Sequence, residues 1–287
     1  MHPMDPYLPL YSWIRGGRAI HLARIEEVRV APGNPGQEQV DVTLGIEETF
    51  WGAAGPDRRH YRFEQPQSEL ARLKFPHPVW GRVNLRQGAS ILLVERAPAE
   101  DPDHVDEVAA DDPVMASVGR VAAQENLRDN PEGRVDRYLR WVKEGSVVER
   151  LFGGEALAKD PLPGVDPEGR IAPVLAGSFA GGPDVFVRLT LGEWLWQRIY
   201  AKTNATGRRT IIHATVLGGA DKNPDLSRFS LDRLSEVDPV DLRGSSLTPP
   251  PEVILRLEER MAAETAPMSK AHLVAVIHAL RGDEDKR

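Results

Sequence analysis

Oxygen ligands at alternating positions could hold calcium, and the stretch Asp221-Lys222-Asn223-Pro224-Asp225, with Ser227 and Asp232 beyond it, comes nearest to that pattern. Leu226 stands where the sharp turn of such a loop needs glycine, and Asp232 replaces the bidentate glutamate. The stretch therefore reads as a helix start capped by Asn223. His272 and His278 are six residues apart, a spacing that does not put two imidazoles on one helical face as four would. His213, between Ile212 and Ala214, reads as a hydrogen-bonded core histidine rather than a general base. Ser178 sits in Ala176-Gly177-Ser178-Phe179-Ala180, which lacks both framing glycines of a nucleophile elbow. The acidic pairs Glu26-Glu27 and Glu47-Glu48 fall in strand-like segments, where neighbours point to opposite faces and cannot converge on one substrate atom. The pairs Gly16-Gly17, Gly153-Gly154, Gly181-Gly182 and Gly218-Gly219 lack the context of a phosphate cradle and read as helix stops and turns. No catalytic, cofactor-binding or metal-ligating residue is assigned, and no cofactor is expected.

Aromatic side chains on a basic barrel face would stack single-stranded bases, and Trp51, Tyr61, Phe63 and Trp80 supply aromatics. Between Arg18 and Pro98, however, 11 Arg and Lys face 10 Asp and Glu, too even a balance for a phosphate track. The aromatics read as core, and nucleic acid is not the expected partner. If a surface site exists, long loops on a rigid scaffold are where it belongs. That points to the loop between Trp51 and Tyr61 and to Phe75-Pro76-His77-Pro78, and selects Trp51, His77 and Trp80 as candidate binding residues.

The elements that carry these residues change type along the chain. Val40, Val42, Leu44 and Ile46 alternate with Asp41, Thr43, Gly45 and Glu47 as a half-buried strand does. An extended segment precedes it from Ala19 to Val30, and Ala31-Pro32-Gly33-Asn34-Pro35-Gly36 makes the pair a hairpin with a long tip. A short strand with Tyr61 and Phe63, a short helix at Ser68 to Leu73, and strands at Val79 to Leu85 and Ala89 to Arg96 follow. About five short strands suit a small closed or partly open barrel, OB-like by preference, because closure removes edges. The order of Ile46-Glu47-Glu48-Thr49-Phe50-Trp51-Gly52 and Gly88-Ala89-Ser90-Ile91-Leu92-Leu93-Val94 resembles netrin-like, tissue-inhibitor-like modules of bacterial secreted proteins over about the first third of the chain. The cysteines common in the animal versions are missing.

Glu100-Asp101-Pro102-Asp103-His104 reads as part of an acidic linker, and beyond it the period becomes helical. Asp112-Pro113, Asn130-Pro131, Asp166-Pro167 and Asn223-Pro224 each join an N-cap to a proline with no N–H to waste, with Thr248-Pro249 a weaker form. Ser146 and Glu149 make a capping box, Val135, Tyr138, Leu139 and Val142 share one helical face, and further starts are expected at Asp184, Thr203 and Ser269. Val185 to Leu191 alternates like a strand, but its flanks place it in a helix. Starts every 16 to 25 residues give helical pairs at about 40, a spacing that resembles a HEAT-like array or an irregular bundle. The expected fold is α+β and multidomain: a small β-barrel over 1–98, an acidic linker over 99–111 and a helical array or bundle over 112–287.

Composition bounds the function. The 287 residues are enough for two domains, the net charge of −7 gives no broad positive field, and the absence of cysteine rules out disulfides, thiolate metal sites and cysteine nucleophiles. No apolar run approaches a membrane span. The chain as written is expected to be cytoplasmic, or extracytoplasmic if a leader has been removed. The expected function is a non-enzymatic binding or scaffold protein acting through contacts with another protein. An OB-type oligonucleotide binder and an enzyme assembled from distant residues such as His77 or His104 are the alternatives.

Overall fold

The alternating segments pair as five antiparallel strands: β1 (Ala19–Pro32), β2 (Gln37–Trp51), β3 (Arg58–Pro66), β4 (Ser90–Glu95) and β5 (His104–Val108). The structure is a computed structural model and describes residues 9–74, 76–97, 100–109, 112–127, 131–159, 169–242 and 248–282. The chain divides into two compact units, Met1–Arg128 and Asp129–Arg287.

In the first unit the strand order is β3-β2-β1-β4-β5. Ala23 and Ile25 on β1, Val40, Val42 and Leu44 on β2, Tyr61 and Phe63 on β3, and Ile91 and Leu93 on β4 line one face and form its core. The β1–β2 turn is tighter than its run of turn residues suggests: Gln37 N–H donates to Asn34 O at 2.8 Å, and Gly36 supplies the φ of +80° that the turn needs. On the flanks, α1 (Leu10–Arg15) buries Leu10, Trp13 and Ile14, α2 (Glu69–Lys74) follows β3, and α3 (Pro113–Glu125) lies against β2 with Gly119 facing the Phe50 ring.

The sheet is not closed into a barrel, which corrects the closed form of the closed or partly open barrel expected. β3 and β5 are its two edges and do not pair with one another. The segment expected to be a strand at Val79 to Leu85 is instead a 3-10 turn, Trp80–Arg82. Its physical reason lies in His77, whose Nδ1 accepts the backbone N–H groups of Val79 and Trp80, both at 3.2 Å, so these donors are unavailable to a ladder. The turn lies against β5, while Trp80 stacks on Phe63 of β3 at 5.3 Å between centroids and 6° between planes. A side-chain wedge thus occupies the position where a closing strand pair would sit. Residues His104–Val108, inside the segment read as a linker, form edge strand β5.

The second unit contains nine α-helices among the described residues: α4 (Pro131–Glu144), α5 (Val147–Lys159), α6 (Ile171–Gly181), α7 (Val185–Trp194), α8 (Ala205–Gly219), α9 (Pro224–Leu234), α10 (Pro239–Leu242), α11 (Pro251–Ala263) and α12 (Pro267–Arg281). A π-helical turn, Leu195–Ile199, continues α7. The helices stack in successive pairs: α4 with α5, α6 with α7, α8 with α9, and α11 with α12. Each pair packs on its neighbours in sequence, α6 on α4, α7 on α5, α8 on α6, and α11 on both α8 and α9. Burial of an apolar stripe by the next pair is the physical basis of such a stack.

Several starts follow the capping chemistry expected of them. Asp112 accepts from Val114 N–H, Asp184 from Val187 N–H, and Asn223 from the N–H groups of Asp225 and Leu226. Ser146 N–H donates to Glu149 Oε2 at 2.7 Å and Glu149 N–H to Ser146 Oγ at 3.3 Å, which is the reciprocal box. Asn130 and Asp166-Pro167 lie outside the described residues. Three starts shift: α8 is capped by Asn204 rather than Thr203, α11 begins at Pro251 rather than near Thr248, and α12 begins at Pro267 rather than Ser269.

Gly153-Gly154 is a correction of a different kind, since both residues lie buried inside α5 instead of ending a helix. A Cβ on Gly154 would come within 2.4 Å of the Leu191 side chain, so the glycine exists to let α7 approach. Gly192 on α7 plays the same part, because a Cβ there would lie 2.8 Å from rings of both Phe179 and Phe229. Gly192→Ala is expected to destabilise by about 1–3 kcal/mol through overpacking, measured as a lower denaturation midpoint.

Candidate functional site

Strand alternation points His21 of β1, Arg59 and Tyr61 of β3 and Glu95 of β4 to the same face as the core, and all four are buried. They meet at one end of that face. Arg59 binds Glu95 through Nε at 2.8 Å and Nη2 at 2.7 Å, both to Oε1, and Tyr61 donates its hydroxyl to Glu95 Oε2 at 2.6 Å. His21 Nε2 lies 3.2 Å from Glu95 Oε1, outside hydrogen-bonding angle, while its Nδ1 is 2.9 Å from Thr49 Oγ1. Arg59 also donates to the carbonyls of Pro56 and, at 3.2 Å, Ala54, which ties down the loop after β2.

This contact requires a curled sheet. β3 and β4 are separated by β2 and β1, so a flat sheet would hold them roughly 14 Å apart at the usual strand spacing. Register shifts in the β1–β2 ladder at Ile20/His21, Leu22/Ala23 and Ile25/Glu27 supply the bending. Burial pushes the Glu95 carboxyl up, but the contacts from His21, Arg59 and Tyr61 outweigh it and hold the group at about 2. Burial, then the Glu95 contact, raises the Tyr61 hydroxyl far above its ordinary range. Chemically the cluster is a buried ion pair, with His21, Arg59 and Glu95 each no more than 1% exposed.

The candidate binding residues separate. Trp80 is 3% exposed and belongs to the core, packing on Tyr61 as well as Phe63. His77 is half-buried, its ring 4.8 Å from that of Phe63, and burial lowers its pKa against an opposing pull from Asp101. Trp51 is half-buried at the end of β2, opposite Ile20 of β1. His104 is held by Asp106 at 2.7 Å and packs on Trp13. His213 is exposed on α8, which corrects its reading as a core residue: on a helix, apolar sequence neighbours lie about 100° away and say nothing of the face between them.

The Asp221 stretch is structural as expected of a helix start. Asp221 Oδ2 takes Arg188 Nη2 at 2.6 Å and Oδ1 accepts Asn223 N–H at 2.8 Å. Arg188 also donates to Phe179 O and Ala180 O, closing the end of α6. Among the described residues no group of three or more His, Cys, Asp or Glu could hold a metal ion, and no helix is long and apolar enough to cross a membrane.

A surface of another character lies between α4 and α6. Two concavities of about 590 Å³ and 480 Å³ share Lys143, Pro173 and Val174 and so form one groove. Leu139, Pro173 and Val174 supply its apolar lining, and Gly177 on α6 leaves backbone bare, with nothing within 4 Å of the position a Cβ would take. Arg140 and Lys143 of α4 and Arg150 of α5 also line it. Arg150 is engaged by the carbonyls of Gly145 and Lys143, whereas Arg140 and Lys143 are exposed and form no ion pair among the described residues. No protein-family model, curated protein or solved structure matches the chain.

Proposed function

We propose that the chain is a non-enzymatic binding protein that acts through contacts with another protein, the helical unit presenting the surface. The observation that carries this reading is the α4/α6 groove, an apolar channel with Arg140 and Lys143 on its rim, neither in an ion pair among the described residues. Pairwise stacking of the helices supports a HEAT-like array, whose physical asset is an extended binding face. The strand order and curl support an OB-like sheet that remains open. Burial of Trp80 beneath Phe63 and Tyr61 argues against base stacking there, and burial of His21, Arg59, Tyr61 and Glu95 argues against catalysis by that cluster.

The test is affinity capture with the full chain from lysate at two salt concentrations, followed by titration of the purified partner against the full chain. A protein that rebinds at micromolar Kd or tighter is the expected result. Capture of nucleic acid lost at high salt, or of nothing, would refute the reading.

A further inference from the structure

We infer that the α4/α6 groove takes an acidic peptide segment of another protein, one that carries apolar side chains beside its carboxylates; this rests on the protein-binding reading above. Charge decides the sign of the ligand. The chain carries a net −7, yet the groove is lined by Arg140, Lys143, Arg150 and Arg170 against Asp136 and Glu144. Arg170 is bonded to Asp136 at 2.7 Å, which leaves three cations facing one carboxylate among the described residues. A local positive rim on an acidic protein attracts anionic partners and repels the chain's own average surface.

Shape decides the rest. The lining formed by Leu139, Pro173 and Val174 rewards apolar contact, so an ion or a bare phosphate would leave most of the groove unused. Gly177 lies within α6, exposed, and no neighbouring side chain or backbone accounts for its lack of a side chain. Glycine weakens a helix interior, and here it keeps the wall low enough for a partner's atoms to reach the backbone. Ser178, beside it, is turned inward, donating to Val142 O at 3.2 Å and tying α6 to α4. The groove is therefore formed before any ligand arrives.

The experiment selects a phage-displayed library of random 16-residue peptides against the full chain, then measures the enriched peptides on three full-length proteins: the original, Arg140→Glu/Lys143→Glu, and Gly177→Leu. Leucine at 177 enters open space and improves helix propensity, so that variant is expected to melt no lower than the original while blocking the groove. The expected result is enrichment of sequences rich in Asp and Glu with interspersed apolar residues, whose affinity falls at least tenfold in both variants. Peptides without acidic bias, or no enrichment at all, would overturn the inference. Acidic peptides that bind all three proteins equally would also overturn it while leaving the protein-binding reading intact. Light scattering on the protein alone provides a further check: self-association abolished by the Arg140/Lys143 reversal would assign the groove to a second copy of this chain instead.

Discussion

Replacing Glu95 by glutamine is expected to cost about 3–5 kcal/mol of folding stability, because it leaves the Arg59 guanidinium buried without its counter-charge. Glutamine keeps the shape and some hydrogen bonding, so the loss reports charge rather than a cavity. The double variant Arg59→Met/Glu95→Leu is expected to lose less than Glu95→Gln alone, since removing both charges leaves neither unpaired. The pH dependence has a definite sign. Glu95 is held at about 2, below an unfolded carboxylate of about 4.3. Its contribution is fully present above the unfolded value and is lost as pH falls from there toward the folded one. Denaturant titrations between pH 3 and 7 should therefore show stability rising with pH more steeply in the original protein than in Glu95→Gln. A variant that loses less than about 1 kcal/mol and keeps the original slope would remove this ion pair from any organising role.

Trp80→Ala is expected to cost about 3–5 kcal/mol, the range for truncating a buried tryptophan. The stacked contact with Phe63 and the tilted one with Tyr61 disappear together, and the wedge between the edge strands β3 and β5 is lost. Trp80→Phe retains a ring over Phe63 and should lose less. Chemical denaturation decides the matter: a loss below about 1 kcal/mol for the alanine variant would show that the segment's backbone, rather than this side chain, fills the opening.

The Arg59–Glu95 cluster left a trace in the sequence that motif reasoning passes over. His21 is in phase with Ala23 and Ile25, Arg59 with Tyr61 and Phe63, and Glu95 with Ile91 and Leu93. Polar residues at inward-facing positions of three strands announce buried partners, because an isolated buried charge would be prohibitive. Which residue partners which could not be read, since β3 and β4 meet only through the curl of the intervening strands. The α4/α6 groove was less visible still. Arg140 and Lys143 look like ordinary exposed helix residues, and only the packing of α6 beside α4 gives them an apolar floor.

Local chemistry determined what the sequence by itself determined here: strand alternation over the first unit, the β1–β2 hairpin, the capping of α3, α5, α7 and α9, and a change from period two to period 3.6 along the chain. Those features depend on residues within a turn or two of one another, so their cause lies wholly in the sequence. Tertiary structure decided the open sheet, the buried role of Gly153 and Gly154, and the exposure of His213. In each case the deciding contact comes from a distant segment or from the face a helix happens to bury, and local pattern carries no record of what will stand opposite.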